Sequence, residues 1–300
     1  MQITTNQTEQ NLTVYTGLDT WSDERILEAL VISQESAIAA SRAAIPQISK
    51  AAEILADRYS KGGAIYYVGA GTSIRIGVQD GSELPATYGI PEDRLVYLIA
   101  GGRDALIDTL ADAEDDVVAG TAAADACKAL DVMIAIAASG MTPYTCAAAK
   151  KARTSGCAVI SIVNNSNTKL GALADIEIVL NSGPEVIAGS TRMAAGTAQK
   201  AALNMLSTLA NIKLGNVYDG LMVSMRAENE KLKARAARIV AQIADVSSTE
   251  ARVALDNATN RIKPAVLLCV GANNLEQAQN LLADTGNNLR LALAKLSAKD

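Results

Sequence analysis

The sequence predicts an α/β protein organised around a doubly wound parallel sheet, with a helical N-terminal segment and a small helical C-terminal domain. Three observations carry this expectation. Short apolar runs recur at 64–68, 94–100, 131–138, 158–163 and 176–180, and the first four end in glycine, serine or asparagine. Segments rich in Ala and Leu, among them 105–130 and 143–154, separate these runs and read as helices. A repeat at an offset of 27 residues marks the tail as a separate helical piece. Short runs that are apolar throughout are strands buried on both faces, and their alternation with helices implies a parallel sheet.

Taken in order, residues 1–22 are polar and read as an arm with little intrinsic structure. Residues 23–60 have helical spacing, with Ile26, Leu30 and Ile32, then Ile45, Ile48, Ala52, Ile54 and Leu55, and Gly62-Gly63 stops the helix. The first strand ends at Gly69, the second at Gly101-Gly102, the third at Ser139-Gly140 and the fourth at Asn164-Asn165. A long helix follows over 194–214, halted by Gly215, and another over about 223–244. In the tail, Ala251, Leu255, Ile262, Lys263, Ala265 and Val266 recur as Ala278, Leu282, Leu289, Arg290, Ala292 and Leu293, which suggests two similar helical hairpins. The expected division is an arm and helix over 1–44, a sheet domain over 45–230 and a helical domain over 245–300.

Composition narrows the chemistry. The chain has 300 residues and a net charge of −5, so clustered basic surfaces for nucleic acid or anionic membranes are not expected. It contains no histidine, which leaves acid/base work near neutral pH to Asp, Glu, Lys, Tyr or Cys and excludes histidine triads. Cys127, Cys146, Cys157 and Cys269 have no metal-ligand spacing and read as buried free thiols in a reducing compartment. Residues 1–20 lack an apolar signal core and no apolar run approaches 18 residues, so the expected location is the cytoplasm. Tyr66 and Tyr67 read as core.

Three loops combine glycine with hydroxyls: 69–73 (GAGTS), 139–142 (SGMT) and 189–191 (GST). Glycine lets backbone N–H groups approach an oxyanion, Ser and Thr add donors, and a helix N-terminus adds a favourable partial charge. One such loop serves turn geometry as often as binding; several at the ends of one sheet favour an anion site. Gly69-x-Gly71 lacks the third glycine of a dinucleotide fingerprint at its proper spacing, and no Walker lysine follows. Glu83 follows the first loop, and Glu114 sits among Asp112, Asp115 and Asp116, where a solvated helix face is the ordinary explanation.

Together, GAGTSIRIGVQDGSELPATYG, ADAEDD, ASGMTPY and GPEVIAGSTRMAAGTAQKAALNMLST resemble the N-acetylmuramic acid 6-phosphate etherase family of sugar isomerase (SIS) domain proteins. The resemblance covers residues 45–230 well and reaches more loosely to Thr8-Glu9 and the tail. It implies a flavodoxin-like SIS sheet and a lyase that cleaves the D-lactyl ether of N-acetylmuramic acid 6-phosphate. The products would be N-acetylglucosamine 6-phosphate and D-lactate, formed by elimination and then hydration, as in peptidoglycan recycling. Glu83 and Glu114 match the family's acid and base positions, one of them expected to have its pKa raised by partial burial. Gly71, Thr72, Ser73, Ser139, Gly140, Thr142 and Ser190 would bind the phosphate and sugar hydroxyls. No cofactor or metal is implied; the partner is a small sugar phosphate, and a homodimer is expected. The chain departs from the family at Ile74, expected to narrow the pocket, at Met141, and at Ala195, where a cation is usual. The same loops would also serve another phosphosugar isomerase, or a non-catalytic phosphosugar-sensing regulatory protein.

Overall fold

The computed structural model describes residues 6–108, 112–227 and 229–298. The chain divides into two compact units, Met1–Gly81 with Asp93–Ser207, and Ser82–Glu92 with Thr208–Asp300.

The first unit is built on a parallel sheet of β1 (Ile65–Gly69), β2 (Leu95–Ile99), β3 (Val132–Ala137), β4 (Ala158–Val163) and β5 (Ile176–Val179), in the order β2-β1-β3-β4-β5. All five predicted strands are present. Gly69 is level with Ile99 of β2 and Ile136 of β3, so the central strands end together. Every residue of β3 and β4 is buried, as strands covered on both faces require. Helices α1 (Asp23–Ala43) and α2 (Ile45–Ser60) precede β1; they break at Ala44, where Pro46 opens the first turn of α2. Helix α3 (Gly71–Tyr88) follows β1, and α4 (Val117–Ala123), α5 (Pro143–Thr154) and α6 (Ala194–Lys213) complete the series.

On one face of the sheet, Tyr66, Val68, Met133, Ala135, Val159 and Val163 pack with Tyr144, Cys146, Ala148 and Ala152 of α5. Each large aliphatic side chain buried in this way contributes about 1.5–3 kcal/mol. Tyr67 is fully buried, and Cys127, Cys146 and Cys157 are buried free thiols, with Cys269 half-buried. Interaction between the Cys127 and Cys157 thiols, together with burial, pushes the Cys157 thiol up, while the same interaction draws that of Cys127 down.

The segment 105–130 is not the single helix that its alanine content predicts. Its described residues form 3-10 turns at Arg103–Leu106 and Ala113–Asp115 and then the short α4. Asp112 adopts left-handed backbone (φ 62°), and Asp116 caps α4 by accepting the Ala119 N–H at 2.8 Å. Aspartates that bond the local backbone favour turns and caps over a continuous helix.

In the second unit, Asp219-Gly220 turns the hairpin of β6 (Val217–Tyr218) and β7 (Leu221–Met222). The turn after this hairpin replaces the start of the helix expected from about 223. Helix α7 (Glu230–Ala244) begins only after Asn229, whose side chain accepts the Leu232 N–H. The tail repeat holds at atomic detail. Helices α8 (Ser248–Asn257) and α9 (Ile262–Cys269) are matched 27 residues on by α10 (Leu275–Asp284) and α11 (Leu289–Ser297). Ser247 and Asn274 cap the equivalent helices, and Asn260 and Asn287 make equivalent left-handed turns that bond Leu255 O and Leu282 O. Lys263 breaks the equivalence. It is buried and donates to Asn216 Oδ1 and Asn287 O, whereas its counterpart Arg290 is exposed and pairs with Asp219. Among the described residues, no helix is long and apolar enough to cross a membrane.

Candidate active site

The strand order has its switch point at β1 and β3: the chain leaves β1 for β2 on one side and returns to β3 on the other. In open α/β sheets the ligand crevice lies beyond the carboxyl ends of such strands. Both following helices begin there. Gly71, Thr72 and Ser73 form the first turn of α3, and α5 opens at Pro143 after Thr142. Unpaired N–H groups and aligned dipoles at two neighbouring helix N-termini favour an anion. Thr142 makes no side-chain cap bond to its helix, and Ser139 Oγ accepts the Met141 N–H at 3.1 Å. Gly140 has φ 66°, and a Cβ there would lie 2.4 Å from Thr168 Cβ, so the turn between them requires glycine.

A third loop reaches this end of the sheet from β5. Glu185 is buried, and its carboxylate accepts the N–H groups of Ala194 and Ala195 at 3.0 and 2.9 Å. The helix dipole thus stabilises the buried charge and fixes the start of α6. Asn164, at the end of β4, donates to Leu180 O and accepts from Gln199 Nε2, locking the same helix to the sheet. A Cβ on Gly196 would sit 3.6 Å from the Thr72 methyl and 3.4 Å from Thr191 O. The first and third loops therefore converge on one bare stretch of α6.

The structure brings Gly71, Thr72, Ser73, Ser139, Gly140 and Thr142 to neighbouring strand ends and joins Ser190 to them through Gly196. Ser73 is buried, while Thr72, Ser139, Thr142 and Ser190 are half-buried. Glu114 lies in the turn Ala113–Asp115, and Arg75 of α3 donates to Ala105 O and Leu106 O earlier in the same excursion. Glu83 follows Ser73 along α3 and falls in the segment of that helix grouped with the second unit. Both glutamates are exposed, so the partial burial expected to separate their acidities is not present in the single chain.

Two of the departures are also relocated. Ile74 does not narrow a pocket: it is 1% exposed, its Cβ lies 3.3 Å from where one on Gly69 would sit, and it packs toward the sheet. Ala195 is fully buried with its N–H on Glu185, so a cation there would not face solvent. Met141 is exposed.

Sequence reasoning missed Asp80, Glu185 and Asn165. Asp80 is buried and accepts from Tyr67 Oη, Asn204 Nδ2 and Ser207 Oγ at 2.8, 2.6 and 2.9 Å, tying α3 to β1 and α6. Burial, and then the facing carboxylate, push the Tyr67 phenol well up. The available signal was Asn204 and Ser207, polar residues three apart within an apolar helix.

Comparison with known proteins follows the same lines. A protein of Symbiobacterium thermophilum named N-acetylmuramic acid 6-phosphate etherase is 49% identical over 224 residues, covering 74% of this chain and 75% of its own. One of the same name from Deinococcus radiodurans is 42% identical over 92% of this chain and 91% of its own. The chain belongs to the N-acetylmuramic acid 6-phosphate etherase family. The model of the glucokinase regulatory protein N-terminal SIS domain matches residues 46–152, and that of the SIS domain matches 112–209. These two matched spans together contain all three glycine–hydroxyl loops and both glutamates. Among solved structures, a phosphoheptose isomerase from Francisella tularensis aligns at TM-score 0.46 and 18% identity, over 63% of this chain and 96% of that chain.

Proposed function

We propose that this protein cleaves the D-lactyl ether of N-acetylmuramic acid 6-phosphate, giving N-acetylglucosamine 6-phosphate and D-lactate. The observation that carries the reading is the 42% identity to a protein of that name across nine-tenths of both chains. The site supports it. The N-termini of α3 and α5, with Thr72, Ser73, Ser139 and Thr142, hold the phosphate; Gly71 and Gly140 allow the backbone to approach, and Ser190 bonds a sugar hydroxyl.

The chemistry is an elimination. In the open-chain sugar the aldehyde acidifies the C2 proton, and the Glu114 carboxylate removes it. The C2–H electrons become the C2–C3 double bond as the C3–O bond breaks, and Glu83 protonates the departing lactate oxygen. Water then adds across the double bond, its oxygen to C3 and a proton to C2. Both carboxylates are exposed in the single chain and so are open to a substrate.

The test is release of D-lactate from N-acetylmuramic acid 6-phosphate by purified protein. Activity that Glu83→Ala and Glu114→Ala each reduce by about 10²-fold or more supports the assignment. No D-lactate from wild-type protein overturns it. Turnover of another phosphosugar without lactate would indicate an isomerase, and stabilisation without turnover a sensor.

We also assign the active form as a homodimer in the cytoplasm. Leu27, Val31, Ile38 and Ile45 leave an exposed apolar stripe on α1 and the start of α2, and exposed Ile107, Val117 and Val118 flank the Glu114 turn. Surfaces of this kind are ordinarily covered by a partner. Light scattering is expected to give twice the chain mass, reduced to one by Val31→Glu with Ile38→Glu. Four free thiols suit a reducing compartment.

A further inference from the structure

Resting on that reading, we propose that Glu9 is a specificity-determining residue whose carboxylate accepts a hydrogen bond from a hydroxyl or amide N–H of the amino sugar held at the Ser190 loop. The reaction scheme does not use this residue, yet the fold delivers it to the site by a built connection.

Thr8 is 1% exposed although it lies in the polar N-terminal arm. Asn165, at the end of β4, holds it from two directions: the Gln7 N–H donates to Asn165 Oδ1 at 2.8 Å, and Asn165 Nδ2 donates to Thr8 Oγ1 at 3.3 Å. The same Nδ2 donates to Ala138 O at 2.9 Å, one residue before Ser139. On the other side, the Gly189 N–H donates to Thr8 O at 3.0 Å. The arm is thereby clamped between the β3 loop and the loop that carries Ser190.

Glu9 is the next residue. Its Oε2 lies 2.9 Å from the place a Cβ would take on Gly189, which has φ 77°. Glycine at this position therefore leaves room for the carboxylate as well as permitting the turn. The carboxylate is exposed and has no hydrogen-bond or ion-pair partner among the described residues. A carboxylate is an acceptor only, so its partner in the ligand must be a donor. A phosphate beside it would meet a like charge at close range, which is strongly unfavourable in a partly dehydrated crevice. Glu9 thus divides the site: the phosphate belongs at the α3 and α5 N-termini, and the donor-bearing sugar belongs at the Ser190 loop. A backbone held at Gln7 and Thr8, immediately before Glu9, keeps this acceptor in place before the ligand arrives.

The experiment is equilibrium calorimetry of the full chain with N-acetylglucosamine 6-phosphate and, separately, with inorganic phosphate. Glu9→Ala is expected to weaken the amino-sugar phosphate by about ten-fold or more, as loss of a charged hydrogen bond does, with inorganic phosphate unchanged within about two-fold. Gly189→Ala, which displaces the carboxylate, is expected to act in the same direction and to add little to Glu9→Ala. Should Glu9→Ala fail to fold, the nearly isosteric Glu9→Gln is expected to retain the fold and show a smaller loss of the same selectivity. Unchanged amino-sugar affinity overturns the proposal. So does an equal loss for both ligands, because a clamp that merely shapes the loops would weaken both. Binding needs no turnover, so the outcome stands apart from the lactate assay: a protein that binds selectively through Glu9 but releases no D-lactate would overturn the etherase reading alone.

Discussion

Ile74 shows how a residue next to a glycine–hydroxyl loop acquires its role from the direction in which it points. It follows Ser73 in the chain, but the first turn of α3 aims it into the core. Ile74→Ala is accordingly expected to cost about 2–5 kcal/mol in urea unfolding while leaving KM for the phosphosugar unchanged. A change in KM at full stability would place the side chain in the pocket after all. Ser161 is the opposite case. Its hydroxyl is fully buried in β4 and has no hydrogen-bond partner among the described residues. Ser161→Ala removes a desolvated donor at little cost in packing and is expected to stabilise by about 1 kcal/mol, read from the shift in denaturation midpoint.

Helix α6 is the element on which the loops meet, and Gly196 is its contact point. Alanine there makes ordinary contacts with Thr72 and Thr191 and should be tolerated. Gly196→Val forces extra methyls between them and is expected to lower kcat/KM by about ten-fold or more with a smaller effect on melting temperature. In the C-terminal repeat, burial pushes the Lys263 ammonium down to about 8, against about 10.4 for an unfolded lysine. Between those values the unfolded chain binds more protons than the folded one, so this site's contribution to stability rises with pH; below pH 8 the full penalty of the buried charge remains. The stability of wild-type protein relative to Lys263→Met should therefore climb from pH 8 to pH 10 in urea titrations. A flat difference would mean that the ammonium is solvated in solution.

For the whole molecule, ligand binding at the first unit's crevice should appear as stabilisation by mass action, about 2.7 kcal/mol at a ligand concentration 100-fold above Kd. N-Acetylglucosamine 6-phosphate should produce it. The strands that organise this crevice were readable because parallel strands are apolar throughout and end at glycine, serine or asparagine; 64–68 and 158–163 are the clearest. The tail repeat was readable too, because equivalent caps and equivalent core positions need equivalent residues, as Ala251 with Ala278 and Ile262 with Leu289 show. The excursion at 105–130 was not, because its alanines match a helix locally while Asp112 and Asp116 bond the backbone into turns.

The sequence by itself determined the sheet, the positions of the three glycine–hydroxyl loops and the family, since each is written in local composition or in an extended motif. Only the tertiary structure decided that Ile74 and Ala195 are core, that Glu185 and Asp80 anchor α6 and α3, and that the Thr8–Glu9 arm lies against the Ser190 loop. The physical reason is the same in each case. Burial and hydrogen bonding depend on partners far apart in the chain, such as Thr8 with Asn165, Asp80 with Asn204, and Thr72 with Gly196, and sequence spacing carries no record of which of them meet.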